Sequence, residues 1–462
     1  MHANHNVGTS QQRLVKKHAR NSDANAFFNL LTSEHLLDTV ESLLPQHRER
    51  QFPPTETLSM FMAQALSADR SCQQAVDQVA VKRLAAGLPP CSTHTGAYCR
   101  ARLRLPTNMA STLTRTTGQW IAAQAPTAWH WRNRPVRLVD GTTVTLPDTA
   151  ANQANYPQSH NQKPGLGFPL CRIVGLMCLG SGAVLNAAVG RYSGKGSDEQ
   201  SLLRTMLDTL ARDDLLLGDA FYATYFLLCQ LQARGVDAVF EQHGSRQRMT
   251  DFRRGKRLGV RDHLIVLKRP VIKPGWMSQE DYDASPASVT VRELRAGGKT
   301  LVTTLLCPKQ TDKDALKALF KSRWHVELDL RNIKTTLGME HLRCRTPEMA
   351  VKEIWVYLLA YNLIRLMMAE AALIAHRLPR EISFKHTVQM WIAWNAHGHG
   401  ADRKDKLHGL FVLIAQQRVG KRPGRIEPRA VKRRPKPYAL LTKPRAQARA
   451  NVAKHGHPKK AK

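Results

Sequence analysis

The chain has 462 residues, enough for several domains and at least one large hydrophobic core. Its apolar fraction of 42% is ordinary for a folded protein, whereas its formal net charge of +33 is not. So large an excess of one sign goes beyond what solubility requires and argues for an anionic partner, with nucleic acid ahead of a membrane surface. The eight scattered cysteines form no Cys-x-x-Cys pair, which gives no zinc framework and suits reduced thiols.

Residues 1–130 predict a helical domain. Apolar residues recur at helical spacing in 27–44, 58–66 and 75–88, and prolines separate these segments. The stretch 98–115 carries four arginines and no acid. That composition fits phosphate contact and a solvated helix face equally well.

From about residue 132 the pattern changes to strands. An alternating run covers 136–146, and two apolar runs at 172–179 and 184–189 flank a Gly-Ser-Gly sequence, which predicts a hairpin. The wholly apolar run 215–217 predicts a buried central strand. A Ser-Asp-Glu-Gln sequence that begins at Ser197 predicts a helix start with a capping box.

A β-rich block follows at 241–312, with strands predicted at 263–267, 288–294 and 300–306. One long helix is predicted at 312–337, and more helix beyond it. An apolar stretch at 355–375 is broken by three polar residues, so it predicts a buried helix rather than a membrane span.

The charge is unevenly distributed. Residues 421–462 contain fifteen lysines or arginines and one acid, a net charge of +14, which leaves +19 for the rest of the chain. This tail has few groups able to build a core, so we expect it to be disordered and to wrap DNA. A charged solubilising tail is the alternative.

Three acids stand out by position. Asp140 lies in the apolar row of its strand, where an ionised carboxylate is costly unless it is paired or binds a cation, although Asp-Gly also favours a turn. Asp219 follows a buried run at the edge where α/β sheets bind ligands, although an aspartate there also caps helices. Glu327 shares a helix strip with Arg323 and Lys334, which a surface salt-bridge ladder explains more simply. The residues alone leave these alternatives open.

The glutamate lies in a motif that resembles a known signature. Phe320, Arg323, Glu327 and Lys334 have the spacing of the Tyr-Arg-Glu-Lys signature of the insertion-sequence-4 group of bacterial transposases. Phenylalanine replaces the tyrosine, which removes a hydroxyl but no metal ligand. Other sequences similar to that family occur in the family's order, at 139–143 and 217–222 for the two aspartate motifs and at 301–306 and 360–365 on either side of the glutamate motif.

The resemblance implies an α/β fold: a ribonuclease-H-like mixed sheet flanked by helices, with Asp140 on the first strand, Asp219 beside the fourth and Glu327 on a later helix. To this fold we add the β-rich insertion and the α-helical N-terminal domain that the sequence predicts. The expected divisions are a helical DNA-binding domain at 1–130, the first part of the catalytic core at 131–240, the insertion at 241–312, the second part of the core with C-terminal helices at 313–420, and a basic disordered tail at 421–462.

The resemblance also implies that Asp140, Asp219 and Glu327 are catalytic and hold two Mg²⁺ or Mn²⁺ ions, which prefer oxygen ligands. Arg323 and Lys334 are expected to contact DNA phosphates, with Arg331 as a weaker candidate.

The implied activity is that of a DDE transposase, which cleaves DNA at transposon ends and transfers the strands into target DNA. The expected partners are the terminal inverted repeats and target DNA, bound by a homodimer, with no membrane. The expected location is the bacterial cytoplasm, at the nucleoid. A catalytically inactive DNA-binding relative and a metal-dependent nuclease without joining activity are the alternatives. All three acids occupy motif positions, which favours the enzyme over a pure binder.

Overall fold

A computed structural model describes residues 39, 42–44, 52–85, 87–89, 91–247, 250–396, 403–420 and 441–456. The helices predicted at 58–66 and 75–88 are confirmed, whereas the 27–44 segment lies largely outside the described residues. The described helices of the N-terminal region are α1 (Pro54–Leu66), α2 (Cys72–Ala85), α3 (Gly96–Arg104) and α4 (Thr107–Ala123). Proline residues stand at the starts of α1 and α4, where a missing N–H costs no hydrogen bond.

The arginines of the 98–115 stretch have different surroundings. Arg102 is only 9% exposed, and its guanidinium lies over the rings of Phe61 and Tyr98. Arg115 donates to Asn186 and is half-buried, whereas Arg100 and Arg104 are exposed. Arg102 therefore supports the packing of α1 against α3, and only part of the stretch is free to face solvent.

The strands of the described chain form one mixed sheet in the order β3-β2-β1-β4-β5-β9-β8-β7-β6. β1, β4 and β5 are parallel, and β2 runs antiparallel to β1 and β3. This order and these directions are the ribonuclease-H-like arrangement that the resemblance implied. The strand bounds are β1 (Val136–Thr145), β2 (Leu170–Cys178), β3 (Val184–Arg191), β4 (Leu215–Gly218), β5 (Asp237–Glu241), β6 (Lys256–Gly259), β7 (Asp262–Lys268), β8 (Ser288–Ala296) and β9 (Lys299–Thr303).

The predicted β-rich block is continuous with the central sheet. Its last strand, β9, pairs antiparallel with β5, and β8, β7 and β6 follow outward. The three strands predicted in this block are confirmed. Since backbone groups at the edge of β5 need partners, β9 satisfies them and turns the insertion into a lateral extension of the core.

Helices cover both faces of the sheet, which explains why its central strands are apolar throughout. On β4, Leu215 and Leu217 pack into the larger hydrophobic core, and Leu216 packs into a second core on the opposite face. The further helices are α5 (Ala150–Asn155), α6 (Glu199–Arg204), α7 (Tyr225–Ala233), α8 (Gly244–Gln247), α9 (Gln279–Ala284), α10 (Lys313–Lys321), α11 (Trp324–Arg331), α12 (Pro347–Ile374), α13 (Phe384–Ala396), α14 (Arg403–Gln416) and α15 (Arg445–His455).

The long helix α12 is the centre of the larger core. In the described residues it is the one helix long and apolar enough to cross a membrane, and 83% of its apolar window is buried within the fold. Asn362 explains one of its polar interruptions, because its amide donates to the backbone oxygens of Thr114 and Val184 and its oxygen accepts from the N–H of Val184. The prediction of a buried helix is confirmed.

Three local predictions differ from the structure: two concern helices, and the third concerns the tail. The helix predicted at 312–337 is divided into α10, α11 and a π-helical turn at Asn332–Thr336. Between α10 and α11 the hydrogen bonds tighten to i−3, where the Ser322 hydroxyl also bonds to the oxygen of Leu319, whereas in the π-helical turn the N–H of Leu337 bonds to the oxygen of Asn332, five residues earlier. The residue that caps α6 is Asp198, whose carboxylate accepts from the N–H of Ser201, and not Ser197, whose hydroxyl donates to the oxygen of Gly194.

The tail predicted to be disordered contains helix α15, which has no buried residue. The remainder of the tail, 421–440 and 457–462, lies outside the described residues. Residues of α15 such as Ala446, Ala448 and Ala450 have high helix propensity, which explains local helix without a buried core.

Candidate active site

Two of the predicted acids lie where the pairing between two neighbouring parallel strands ends. The last paired positions of β1 and β4 are Leu138 and Leu217. Asp140 lies two residues further within β1, and Asp219 lies two residues further along the chain, immediately after β4. Neighbouring strands are about 4.8 Å apart, so the two aspartates come near each other just beyond the last paired positions.

Asp140 has the most perturbed carboxyl of this edge. Its side chain is 17% exposed, and one carboxylate oxygen accepts from the N–H of Gly141 at 2.9 Å. Burial raises the pKa of Asp140 to about 7; the N–H of Gly141 and the Arg323 guanidinium offset part of this effect, and the charges of Glu199 and Asp219 add to it. Asp140 is therefore a carboxylate in a negative, partly dry environment.

Asp219 begins a short 3-10 turn, Ala220–Tyr222, immediately after β4. Its carboxylate accepts from the N–H of Phe221 at 2.8 Å. The predicted capping role and the predicted position at the ligand-binding edge of the sheet thus coincide in one residue.

Glu327 reaches the same region from helix α11. Its carboxylate accepts from Arg323 at 2.8 Å, and Arg323 also approaches the Asp140 carboxylate at 4.0 Å. The side chain of Glu327 is 33% exposed, and that of Arg323 is 16% exposed. Arg323 therefore does more than form a surface ion pair along the helix, because it lies between an acid on the helix and an acid on the sheet.

A cleft of about 280 Å³ opens between β1 and α11. Asp140, Glu327, Arg331 and Lys334 line it, and Asp219 does not. Within the described part of the chain, no three histidine, cysteine or acidic side chains lie close enough together to hold a metal ion. The structure thus brings Asp140 and Glu327 to one cleft and places Asp219 on the strand beside it.

Buried ion pairs fix the position of α11. Asp329, two residues after Glu327, is fully buried and accepts from Arg365 of α12 at 2.5 Å and from Arg380 at 2.8 Å. Arg380 also donates to the backbone oxygens of Cys178 and Leu179 at the end of β2. Burial and the nearby Arg380 lower the pKa of His325 to about 4. The ion pairs and hydrogen bonds of Asp329 and Arg380 join α11 to the core and to the sheet.

The sequence pattern did not identify Asp329 or Glu199 as residues of this region, and it placed Tyr222 in the second aspartate motif without a role. Glu199 was interpreted only as part of a helix start, although a glycine directly after Asp140 is a signal of close approach by another group. The partners of Asp329 are 36 and 51 residues away along the chain, so no local spacing indicates them.

Comparison with known proteins places this geometry in a family. The family described as "Transposase DDE domain" matches residues 131–363, which span β1 to the middle of α12 and include all three acids. This chain belongs to the DDE transposase family.

Two curated proteins of Escherichia coli (strain K12) resemble this DDE transposase. The transposase InsG for insertion sequence element IS4 is 29% identical over 367 residues, which cover 75% of this chain and 78% of that protein. The putative transposase InsZ is 28% identical over 140 residues, 30% of this chain and 46% of its own length. A piggyBac transposase synaptic complex with hairpin DNA has a TM-score of 0.42 and 10% identity, covering 88% of this chain and 87% of the other.

As a member of this family, the DDE transposase is an enzyme that acts on DNA, cleaving and transferring strands, and it depends on divalent metal ions. Its binding partner is therefore DNA, as the excess of positive charge predicted.

Proposed function

We propose that Asp140, Asp219 and Glu327 are the three acids that give the family its activity, and that together they bind two Mg²⁺ or Mn²⁺ ions. The observation that carries this proposal is the placement of the three acids around one end of the paired segment of β1 and β4. Asp140 of β1 and Glu327 of α11 line one cleft, and Asp219 follows β4, the parallel neighbour of β1.

The chemistry of these residues fits a divalent cation. All the donors are carboxylate oxygens, the ligands that Mg²⁺ and Mn²⁺ prefer. Burial beside Glu199 and Asp219 raises the pKa of Asp140, as expected of a site that lacks positive charge. The guanidinium of Arg323 lies between Asp140 and Glu327 and supplies part of the positive charge that the site needs. When bound, such ions activate a water or a 3′-hydroxyl for attack on a DNA phosphorus and stabilise the leaving oxygen.

The cations of the cleft suit the DNA backbone. Lys334 and Arg331 line the cleft beside the acids, and Arg323 is bonded to Glu327 and lies 4.0 Å from the Asp140 carboxylate. Arginine contacts a phosphate through two parallel hydrogen bonds, whereas lysine acts as a point charge. We assign Arg323 and Lys334, with Arg331 beside them, to positioning the scissile phosphate and its neighbours.

The DNA partners proposed for the chain are the transposon's terminal inverted repeats and target DNA. Residues 1–130 are proposed to read the ends, residues 131–240 and 313–420 to form the catalytic core, and the tail at 421–462 to add affinity without sequence preference. Because two ends must be paired, we propose a homodimer on DNA. The proposed location is the nucleoid of a bacterial cytoplasm.

The test is strand cleavage and joining by the purified full chain on duplexes that carry the element's own ends, with Mg²⁺. Asp140→Ala, Asp219→Ala and Glu327→Ala are each expected to abolish cleavage, because each removes a pair of oxygen ligands. End binding, measured by mobility shift, is expected to remain. Asp208→Ala is the matched control, since the Asp208 side chain is 95% exposed.

Full cleavage by any one of the three variants removes that residue from the site. Cleavage without joining by the wild type identifies a nuclease, and end binding with no metal-dependent cleavage identifies an inactive relative.

A further inference from the structure

A fourth acid lies directly behind the first. Glu199 is the first residue of α6, on the face of the sheet opposite the cleft. A Cβ atom on residue 141 would lie 2.2 Å from the carboxyl carbon of Glu199 and 2.3 Å from its Oε1. A side chain at residue 141 would therefore displace the Glu199 carboxylate, which rests against the backbone there.

The same carboxylate contacts the turn that carries the second aspartate. The Tyr222 hydroxyl donates to Oε2 of Glu199 at 3.2 Å. Tyr222 ends the turn that Asp219 caps, and its ring packs over Gly218, where a Cβ would lie 2.8 Å from it. Glu199 thus touches the residue after Asp140 and, through Tyr222, the turn after Asp219.

Pairing between β1 and β4 stops at Leu138 and Leu217, so backbone hydrogen bonds do not fix the spacing between Asp140 and Asp219. The Glu199 side chain spans this unpaired interval, and the side-chain amide of the next residue, Gln200, donates to the backbone oxygen of Phe221 in the same turn. We propose that Glu199 is a positioning residue, which holds β1 at Gly141 and the turn after β4 at the separation that Asp140 and Asp219 need to act together. This inference rests on the proposed roles of the two aspartates.

Amide hydrogen exchange tests the inference without any reaction. Glu199→Ala is expected to speed exchange in the peptides around 139–143 and 217–223 by about tenfold or more, because the carboxylate that orders both segments is removed. Exchange in 202–206 is expected to stay unchanged, since Asp198 still caps α6. Glu199→Gln keeps the length and an acceptor for Tyr222, so it is expected to retain the wild-type exchange. Glu280→Ala, at an exposed acid in the first turn of α9, is the matched control.

Cleavage of end-bearing DNA gives the second readout. Glu199→Ala is expected to lose about 10–100-fold, the range typical when a group that orients a metal ligand is removed. Tyr222→Phe is expected to lose activity in the same direction, and the double variant is expected to lose no more than Glu199→Ala alone, because both act through one hydrogen bond. Glu199→Gln is expected to stay within about threefold of the wild type, a difference below 1 kcal/mol.

Unchanged exchange at both peptides in Glu199→Ala overturns the inference, whatever the activity. Additive losses in the double variant overturn the coupling through Tyr222, and a Glu199→Gln defect as complete as that of Asp140→Ala overturns positioning in favour of direct ligation. If instead alanine variants of the three acids still cleave DNA, the proposed function fails while the exchange result stands by itself.

Discussion

At the scale of single residues, Asp140 shows how the fold accumulates negative charge before any metal binds. Its carboxylate is mostly buried, with Glu199 and Asp219 nearby and Arg323 as the cation that offsets them. A carboxyl whose pKa is raised in the folded state holds its proton more tightly there than in the unfolded chain. The contribution of Asp140 to the free energy of unfolding of the metal-free protein therefore falls as pH rises from about 4 towards about 7.

Asp140→Asn in metal-free buffer tests this pH dependence. The amide cannot ionise, so the variant is expected to be more stable than the wild type at pH 8, by on the order of 2–4 kcal/mol. At pH 4 the two proteins are expected to differ little. Urea unfolding at both pH values measures the difference in free energy. Equal stability at pH 8 would show that the Asp140 carboxylate is not destabilised by its surroundings.

Arg323 provides the second prediction at this scale. Arg323→Ala is expected to lower the rate of DNA cleavage by about 10–100-fold, because one cation that stabilises phosphate charge is removed. Arg323→Lys keeps the charge without the forked geometry, so an intermediate rate is expected. Single-turnover cleavage measures both, with Lys321→Ala, an exposed cation in the preceding helix, as control. A wild-type rate for Arg323→Ala would reduce its contact with Glu327 to a surface ion pair.

At the scale of elements, the helix that carries Glu327 shows what periodicity predicts and what it omits. Leu319, Val326, Leu330, Ile333 and Leu337 recur at helical spacing as one apolar stripe, and all five are buried. The division into α10, α11 and a π-helical turn was not predicted, because the stripe continues across each change in hydrogen bonding.

The site was predictable to a similar degree. The spacing of the signature predicted Glu327 and its two cations, and the strand patterns predicted where the aspartates lie. Asp329 and Glu199 were not predictable in these roles, since each acts through residues that only the sheet order brings near. The pairing of β9 with β5, which joins the insertion to the core, was not predictable for the same reason, because it depends on the order of the strands in the sheet.

Asp329→Ala tests the role of the buried ion pairs. The change leaves Arg365 and Arg380 without their shared carboxylate, so a loss of about 3–5 kcal/mol in the free energy of unfolding is expected. Asp314→Ala, at an exposed acid in α10, is expected to change stability by less than about 0.5 kcal/mol. Urea unfolding followed by tryptophan fluorescence measures both. A loss below about 1 kcal/mol for Asp329→Ala would mean that α11 is held mainly by its apolar stripe.

At the scale of the whole molecule, the charge of +33 predicts that DNA binding depends steeply on salt. Deletion of residues 421–462 removes +14 of that charge. The slope of log affinity against log salt is expected to become shallower by about 0.9 for each DNA phosphate that the shortened chain no longer neutralises. Affinity is expected to fall equally for end-bearing and unrelated duplexes. A decrease confined to end-bearing DNA would assign the tail to sequence recognition.

The most direct measurement for the central claim is anomalous diffraction from crystals of the full chain with end DNA and Mn²⁺. We expect manganese peaks with carboxylate oxygens of Asp140, Asp219 and Glu327 within about 2.0–2.4 Å, with Arg323 withdrawn from its position between Asp140 and Glu327. Peaks bound by other residues, or an Asp219 or Glu327 carboxylate that remains out of reach of every ion while DNA occupies the cleft, would contradict the claim.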